Sequence, residues 1–163
     1  MPINHPKVSI IVPVYKAEKY IERCVRTLFA QTLDEIEYIF VDDCSPDKSI
    51  DVMLRALEGY PIRKHQVKIV THQFNQGVAA ARQHGMESAT GDYIIHCDPD
   101  DWVEHTMYEE LYLNALNNDA DLVWCDFYRE TESGVNIECQ RIESLTTGCF
   151  LGKLCRGKIY GAT

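Results

Sequence analysis

Over the first 126 residues, short apolar runs alternate with longer segments in which apolar residues recur every three to four positions. The apolar runs predict five β-strands, at Val8–Val14, Tyr38–Asp42, Lys68–His72, Tyr93–Cys97 and Leu122–Asp126. Strands that alternate with helical segments are typical of βαβ units, whose strands pair in parallel. The pattern therefore predicts an α/β fold with an open, mainly parallel sheet flanked by helices.

The segments between the strands predict the crossover helices. From Tyr20 to Phe29 the apolar residues fall on one face of a helix. Similar helices are predicted over Ile50–Gly59, Val78–Ala89 and Met107–Asn117. Each of the first four predicted strands is thus followed by a helix that can cover one face of the sheet.

The helical and strand periodicities weaken beyond Phe127. Arg129–Ile142 is predicted as a polar strand or loop, and Leu145–Leu154 as a short apolar helix before a tail rich in Gly and Lys. We therefore divide the chain into an α/β core, residues 1–126, and a separate region, residues 127–163.

Composition narrows the classes of function. Of the 163 residues 45% are hydrophobic and 25% are charged, which indicates a folded domain. The formal net charge of −9 argues against a nucleic-acid partner, because binding to phosphate backbones relies on Lys and Arg. The seven cysteines include no C-x-x-C pair and no signal-peptide pattern precedes the first strand, so we expect reduced thiols and a cytoplasmic protein.

No apolar run approaches the roughly 20 residues that a membrane-spanning helix needs. We therefore predict no transmembrane segment. Any association with a membrane would be peripheral, at its inner face.

The unusual polar clusters follow the first four predicted strands. They are Pro13-Val14-Tyr15, Asp42-Asp43-Cys44-Ser45, Asn75-Gln76-Gly77 and Asp98-Pro99-Asp100-Asp101. In open α/β sheets, ligands bind beyond the carboxyl ends of the strands. The four clusters are therefore expected to meet in one site.

The acidic cluster after strand four points to a divalent cation. Three carboxylates within four residues repel one another unless they are solvated, hydrogen-bonded or neutralised. Mg²⁺ and Mn²⁺ prefer oxygen ligands and often take one or two carboxylates, together with phosphates and water. Pro99 stiffens the turn between Asp98 and Asp100. The alternative is a solvated acidic turn that caps the next helix.

Three other residues have both a ligand-binding and an ordinary interpretation. Tyr15 offers a flat face for a nucleobase but could simply pack at the rim of the sheet. Asp43 could accept a hydrogen bond from a base or ribose, or take part in turn chemistry. Arg82 could reach a pyrophosphate, or be an ordinary surface arginine. None of the six histidines shows metal-ligand spacing, and no glycine-rich dinucleotide or P-loop motif is present.

Taken together, the ordered clusters resemble the family-two nucleotide-sugar glycosyltransferases of the GT-A fold, a Rossmann-like open twisted sheet. The resemblance covers residues 7 to about 126. It runs through Val8 to Tyr15, Tyr38 to Asp47, Asn75 to Gly77 with Ala81, Arg82 and Gly85, Gly91 to Ile95, and Asp98 to Trp102. Position 16 is Lys where the family usually has Asn.

The resemblance implies a role for particular residues. The nucleotide-binding set it implies is Pro13, Val14, Tyr15, Glu18, Asp43, Arg82 and Asp98. Asp98 and Asp100 resemble the metal-binding carboxylates of a D-x-D motif, with Mn²⁺ or Mg²⁺ as cofactor. Asp101 is expected to face the donor sugar or the acceptor.

The resemblance also implies a reaction. A carboxylate base deprotonates an acceptor hydroxyl, which displaces a nucleoside diphosphate from its sugar with inversion. A UDP-sugar is the expected donor, and a saccharide or lipid-linked molecule the expected acceptor, in polysaccharide or glycoconjugate synthesis. No suitable acidic pair follows Trp102, so we expect the base beyond Thr163 and interpret residues 127–163 as the start of a truncated acceptor-side region.

Two other classes remain open from the sequence. A noncatalytic nucleotide-sugar-binding module would share every feature of the donor site and lack the base. An α/β phosphotransfer domain would also carry Asp clusters at strand ends. That class would need an Asp after strand one, where this chain has Tyr15-Lys16.

Overall fold

A computed structural model of the protein describes residues 5–131 and 134–138. The chain divides into two compact units, Met1–Val123 and Trp124–Thr163. The elements of the first unit are, in chain order, β1 (Val8–Val14), α1 (Ile21–Phe29), β2 (Ile36–Asp42), α2 (Ser49–Leu57), a 3₁₀ helix (Pro61–Gln66), β3 (Val67–Thr71), α3 (Val78–Ser88), β4 (Tyr93–His96) and α4 (Met107–Asn118). The second unit contains an antiparallel hairpin of β5 (Phe127–Thr131) and β6 (Gly134–Glu138).

The first unit is built on a parallel sheet with the strand order β3-β2-β1-β4. β1 lies between two partners, since Val8 pairs with Ile36 of β2 and also with Tyr93 of β4. All seven residues of β1 are buried, as expected for a strand that is covered on both faces. The α/β class predicted from the sequence is confirmed.

Side chains of the central strands alternate between two apolar layers. On one face, Ile10 and Phe40 belong to a large core cluster that includes Leu28 of α1 and Met53 of α2. On the other face, Ile11, Ile39 and Val41 form a smaller cluster with Ala81 of α3. The sheet is therefore held between helices on both sides, which fixes its carboxyl edge as a rigid platform.

One predicted strand is wrong. Leu122–Asp126 forms no strand, and the chain becomes extended only at β5. Leu122 and Trp124 are 54% and 40% exposed, so the apolar run that suggested a buried strand is not buried. The predicted polar segment Arg129–Ile142 is a hairpin as far as it is described, and the predicted helix Leu145–Leu154 lies outside the described residues. None of the helices in the described ranges is long and apolar enough to cross a membrane.

Gly85 lets α3 approach the sheet closely. A Cβ atom added at this position would lie 2.3 Å from Cγ2 of Ile11 and 3.3 Å from a methyl group of Val41. Both neighbours are fully buried and have no free space to move into. We expect Gly85→Ala to lower the free energy of unfolding by about 1–3 kcal/mol through overpacking, measured by urea denaturation.

Gly59→Ala is the matched control for Gly85→Ala. A Cβ at Gly59 would meet only the carbonyl oxygen of Ala56, at an ordinary contact distance of 3.5 Å. Its effect on the free energy of unfolding should stay within about 0.5 kcal/mol. Equal losses in the two variants would contradict the close-packing interpretation of Gly85.

A buried arginine ties the end of α1 to the 3₁₀ helix. Arg63 is 6% exposed and its guanidinium donates to the backbone carbonyls of Phe29, Gln31, Leu33 and Asp34. These carbonyls belong to the end of α1 and to the turn that leads into β2, where helical partners are missing. Arg63 thus supplies donors to the carbonyls of Phe29, Gln31 and Leu33, whereas the carbonyl of Asp34 also accepts from Gln66 Nε2 and from the N–H of Ile36.

Candidate functional site

A cavity of about 360 Å³ opens at the carboxyl edge of the sheet. Its lining includes six residues that the sequence analysis assigned to a ligand site, Pro13, Val14, Tyr15, Asp43, Asp98 and Asp100. Asn75, Gly77, Val78, Ala81 and Pro99 complete the lining. The structure therefore brings together residues from the ends of β1, β2 and β4 and from the start of α3.

Two predicted nucleotide-site residues, Glu18 and Arg82, do not line the cavity. Val14 lines it although the residue is fully buried and belongs to the large core cluster, and its contact with a nucleotide stays a prediction. Side chains alternate along a strand, which turns Val14 inward when Tyr15 points out. Glu18 is exposed and does not line the cavity; its carboxylate accepts the backbone N–H of Lys48.

Asp43 is the buried carboxylate of the cavity, with only 2% of its surface exposed. Its Oδ1 accepts the backbone N–H of Gln76 at 2.7 Å, and its Oδ2 accepts that of Gly77 at 2.8 Å. Gly77 has φ +87°, a conformation that favours glycine, and it lets the two N–H groups converge on one carboxylate. His72 Nδ1 lies 2.7 Å from Asp43 Oδ1.

These contacts set the charge of Asp43. Burial alone would raise the pKa of its carboxyl group, but the hydrogen bonds from Gln76, His72 and Gly77 outweigh burial and hold the pKa below its usual value. Asp43 is therefore an ionised acceptor at neutral pH.

The neighbouring acidic residues hold the loop after β2. Asp42 accepts the backbone N–H of Ser45, and Asp47 accepts hydrogen bonds from Ser45, Ser49 and the N–H of Glu18. Burial opposes ionisation of Asp47, but these bonds prevail and lower its pKa to about 2. Turn chemistry thus explains Asp42 and Asp47, whereas Asp43 is left facing the cavity.

Tyr15 stands at the rim with 43% of its surface exposed. Lys16 Nζ lies 5.2 Å from the centroid of its ring. Lys16 itself has φ +54°, and its N–H donates to Ser45 Oγ at 2.9 Å. The loop after β1 is therefore fixed by the loop after β2, and it presents an accessible aromatic ring beside the cavity.

The predicted arginine contacts the first carboxylate of the acidic turn. Arg82 Nη2 lies 2.7 Å from Asp98 Oδ1 and 3.0 Å from Oδ2, and both side chains are partly exposed. The Nε atom of Arg82 is buried and has no hydrogen-bond partner among the described residues. A buried donor without a partner is costly, and an anionic ligand would satisfy it.

The remaining carboxylates of the turn are more open. Asp100 is exposed and lines the cavity, whereas Asp101 is exposed but does not line it. Partial desolvation, together with the negative charges of Asp100 and Asp98, raises the pKa of Asp101. The acidic turn therefore carries unbalanced negative charge despite the Arg82 ion pair.

The donor set fits a metal ion that arrives with a phosphorylated ligand. Among the described residues no group of three His, Cys, Asp or Glu side chains could hold a metal ion by itself. Asp98 and Asp100 supply the one or two carboxylates that Mg²⁺ or Mn²⁺ commonly takes from a protein, with phosphates and water completing the shell.

Sequence reasoning missed two histidines beside this cavity. His72 contacts Asp43, and its Nε2 lies 2.7 Å from His84 Nδ1. Neither residue belongs to a spacing motif, and twelve positions separate them in the chain. Their proximity depends on how α3 packs beside the end of β3, which a single sequence does not disclose.

An open parallel sheet with a carboxylate-lined cavity at its carboxyl edge is typical of ligand-binding α/β proteins. The sequence model described as "Glycosyl transferase family 2" matches residues 9–157. The chain belongs to this family.

Among curated proteins, the chain is 40% identical over 160 residues to the "Putative glycosyltransferase EpsH" of Bacillus subtilis (strain 168), covering 96% of this chain and 45% of that protein. It is also 40% identical over 126 residues to the "Uncharacterized glycosyltransferase EpsJ" of the same organism, covering 77% of this chain and 35% of that one. The chain thus spans less than half the length of these relatives.

Solved structures agree with the fold. The S. aureus TarS 1-349 structure in complex with UDP matches with a TM-score of 0.61 and 28% identity, over 69% of this chain and 33% of that one. The Pyrobaculum calidifontis mannosyltransferase PcManGT, in complex with GDP-Man and Mn²⁺, matches with a TM-score of 0.55 and 27% identity, over 62% and 29% of the two chains. The predicted GT-A type fold is confirmed.

Proposed function

We propose that this chain is the nucleotide-sugar-binding part of a metal-dependent, inverting glycosyltransferase, which transfers a sugar from a nucleoside-diphosphate sugar to an acceptor hydroxyl. The observation that carries the proposal is the composition of one cavity. It combines a buried acceptor, Asp43, with an exposed aromatic ring, Tyr15, and the Asp98 and Asp100 carboxylates. Asp43 would accept a hydrogen bond from the nucleobase, and the Tyr15 ring would stack on it. The two carboxylates of the acidic turn would hold a cation bound to the diphosphate.

The nucleobase would occupy the Asp43 end of the cavity. An ionised carboxylate accepts a hydrogen bond from a base N–H, and the Tyr15 ring can stack on the base, since every base has a π-face. Pro13 and Val14 line the same cavity. Because Asp43 is held by three donors, it is oriented before any ligand arrives, which lowers the entropy lost on binding.

The diphosphate would lie against the acidic turn. Asp100, exposed and without the arginine contact that Asp98 has, is the proposed direct metal ligand, and Asp98 the second carboxylate. When bound, Mn²⁺ or Mg²⁺ would stabilise the charge that develops on the leaving diphosphate. Arg82 holds Asp98 in place and has a spare Nε donor for a phosphate oxygen.

The similarity to a UDP-bound and a GDP-Man- and Mn²⁺-bound structure supports a nucleotide-sugar donor, and we propose a UDP-sugar. We propose that the acceptor is a saccharide or a lipid-linked molecule, and that the reaction belongs to polysaccharide or glycoconjugate synthesis. We propose a cytoplasmic location, with any membrane association peripheral and at the inner face. Asp101 would face the sugar or the acceptor. We assign residues 1–126 to the donor site and residues 127–163 to the start of the acceptor side. That the catalytic base, which deprotonates the acceptor hydroxyl, lies beyond Thr163 stays a prediction.

The proposal is tested by nucleotide binding with and without metal. Because the acidic turn repels an anionic ligand, we expect UDP to bind at least about 30-fold more weakly in EDTA than in Mn²⁺, equivalent to about 2 kcal/mol. Isothermal titration calorimetry at constant ionic strength measures both affinities. Mn²⁺ alone should bind weakly, since the described residues offer too few ligands without phosphate. Equal affinity for UDP in EDTA would refute the metal-dependent site.

A further inference from the structure

Three hydrogen-bonded side chains lead from the cavity into the protein. Asp43 Oδ1 lies 2.7 Å from His72 Nδ1, and His72 Nε2 lies 2.7 Å from His84 Nδ1. His72 follows β3 and is 6% exposed, while His84 is half-buried on α3. The two rings meet edge to face, with centroids 4.8 Å apart. In the proposed function His72 is only one of three donors to Asp43, and His84 has no role.

When His72 is neutral, the two hydrogen bonds from His84 through His72 to Asp43 can run in only one direction. The ionised Asp43 carboxylate only accepts hydrogen bonds, so His72 Nδ1 must carry the hydrogen. Nε2 of a neutral His72 ring is then an acceptor, and His84 Nδ1 must donate to it. His84 thereby selects the tautomer of His72, and His72 in turn orients the carboxylate.

The donors around Asp43 leave one acceptor position for a ligand. Gln76 N–H and His72 bond to Oδ1, and Gly77 N–H bonds to Oδ2. A carboxylate has about four acceptor positions, so the remaining one belongs to Oδ2. Uracil, thymine and guanine carry a ring N–H that can satisfy it. Cytosine and adenine have a ring nitrogen without hydrogen at the corresponding edge. Only their exocyclic amino group could donate to the carboxylate, and only if the base were shifted from the position that aligns a ring N–H.

We propose that His72, supported by His84, is a positioning residue that holds Asp43 as a pure acceptor and so makes the site select nucleobases with a ring N–H. The inference rests on the proposed function, because it requires Asp43 to meet the base. Without the His72 donor, the buried carboxylate loses an interaction that favours its ionised form. The N–H groups of Gln76 and Gly77 still favour the ionised form, so the contribution of His72 is to fix the orientation of the carboxylate. Loss of His72 should therefore narrow the preference for a base with a ring N–H, beyond any loss of affinity.

The experiment compares UDP and CDP in the presence of Mn²⁺. We expect the unmodified chain to bind UDP at least about 10-fold more tightly than CDP, the value of one hydrogen bond to a charged group. His72→Leu should bring the two affinities within about threefold, because the oriented acceptor is lost. His72→Asn should restore most of the preference, since its amide nitrogen can replace Nδ1 as the donor. His65→Leu, on the exposed surface of the 3₁₀ helix, is the matched control and should leave the ratio unchanged.

The outcomes separate this inference from the proposed function. If His72→Leu lowers both affinities equally and keeps their ratio, His72 has a purely structural role and the inference is overturned, while the proposed function stands. If His72→Leu does not melt cooperatively, the UDP and CDP affinities of His84→Leu are compared instead. A smaller preference for UDP than in the unmodified chain supports the inference, and an unchanged preference overturns it. If the unmodified chain does not bind UDP with Mn²⁺, the proposed function is overturned together with this inference.

Discussion

Replacing Asp100 with Asn should weaken Mn²⁺-dependent binding of UDP by about 30-fold or more, towards the affinity measured in EDTA. Asp100 is the exposed carboxylate of the cavity, and Asp98 is already paired with Arg82. Loss of the charge at Asp100 therefore removes the ligand that remains free for a cation. Calorimetric titration of UDP, with Mn²⁺ and with EDTA, measures the effect.

The control is Asp119→Asn, which removes an equally exposed carboxylate at the end of α4. Asp119 has φ +48°, a conformation that Asn also tolerates, so this variant should fold and bind UDP normally. The melting temperature of Asp100→Asn without ligand should also be close to that of the unmodified chain. A large drop in that temperature would make Asp100 a structural residue, and full Mn²⁺ dependence in the variant would exclude it as a metal ligand.

Arg63→Met should lower the free energy of unfolding by about 3–5 kcal/mol, and the melting temperature by roughly 10 °C. The substitution keeps an apolar stem but leaves the carbonyls of Phe29, Gln31 and Leu33 without the Arg63 donor. An unpaired buried acceptor is more costly than the net gain from its hydrogen bond. Urea denaturation and thermal melting both measure the loss.

Arg55→Met provides the comparison, because Arg55 is an exposed arginine on α2 whose Nε makes one long contact, 3.4 Å, to the carbonyl of Asp51. We expect Arg55→Met to change the free energy of unfolding by no more than about 0.5 kcal/mol. If Arg63→Met were equally mild, the network at the end of α1 would contribute little to stability.

The sequence was sufficient to predict the central sheet. β1 and β4 begin where their apolar runs begin, and β1 also ends where predicted, because parallel strands covered on both faces need continuous apolar residues. The position of the candidate site followed from the same reasoning, since residues of the clusters after all four strands line one cavity. Periodicity failed at Leu122–Asp126, where an apolar run lies exposed and has no strand partner in the described part of the chain.

The contacts that orient the site residues were not predictable from the sequence. Arg63 looks like any surface arginine in a short polar segment, yet it is buried against carbonyls some 30 positions earlier. His72 and His84 likewise lack a motif. Such contacts depend on the angle and distance at which helices pack on the sheet. Pattern and propensity determine which elements form, whereas side-chain geometry determines these partnerships.

The strand order also affects the sequence of events when the chain folds. Val8 pairs with Ile36 of the next strand, but its other partner, Tyr93, lies much further along the chain. The entropy lost in closing a loop grows with its length, so pairing of β1 with β2 is entropically easier than pairing with β4. β4 leads directly into the acidic turn at Asp98. The carboxylates proposed to bind the metal therefore follow the strand whose pairing closes the longest loop. A folding intermediate without β4 would contain the proposed nucleobase-binding residues of the first strands but not the proposed metal site.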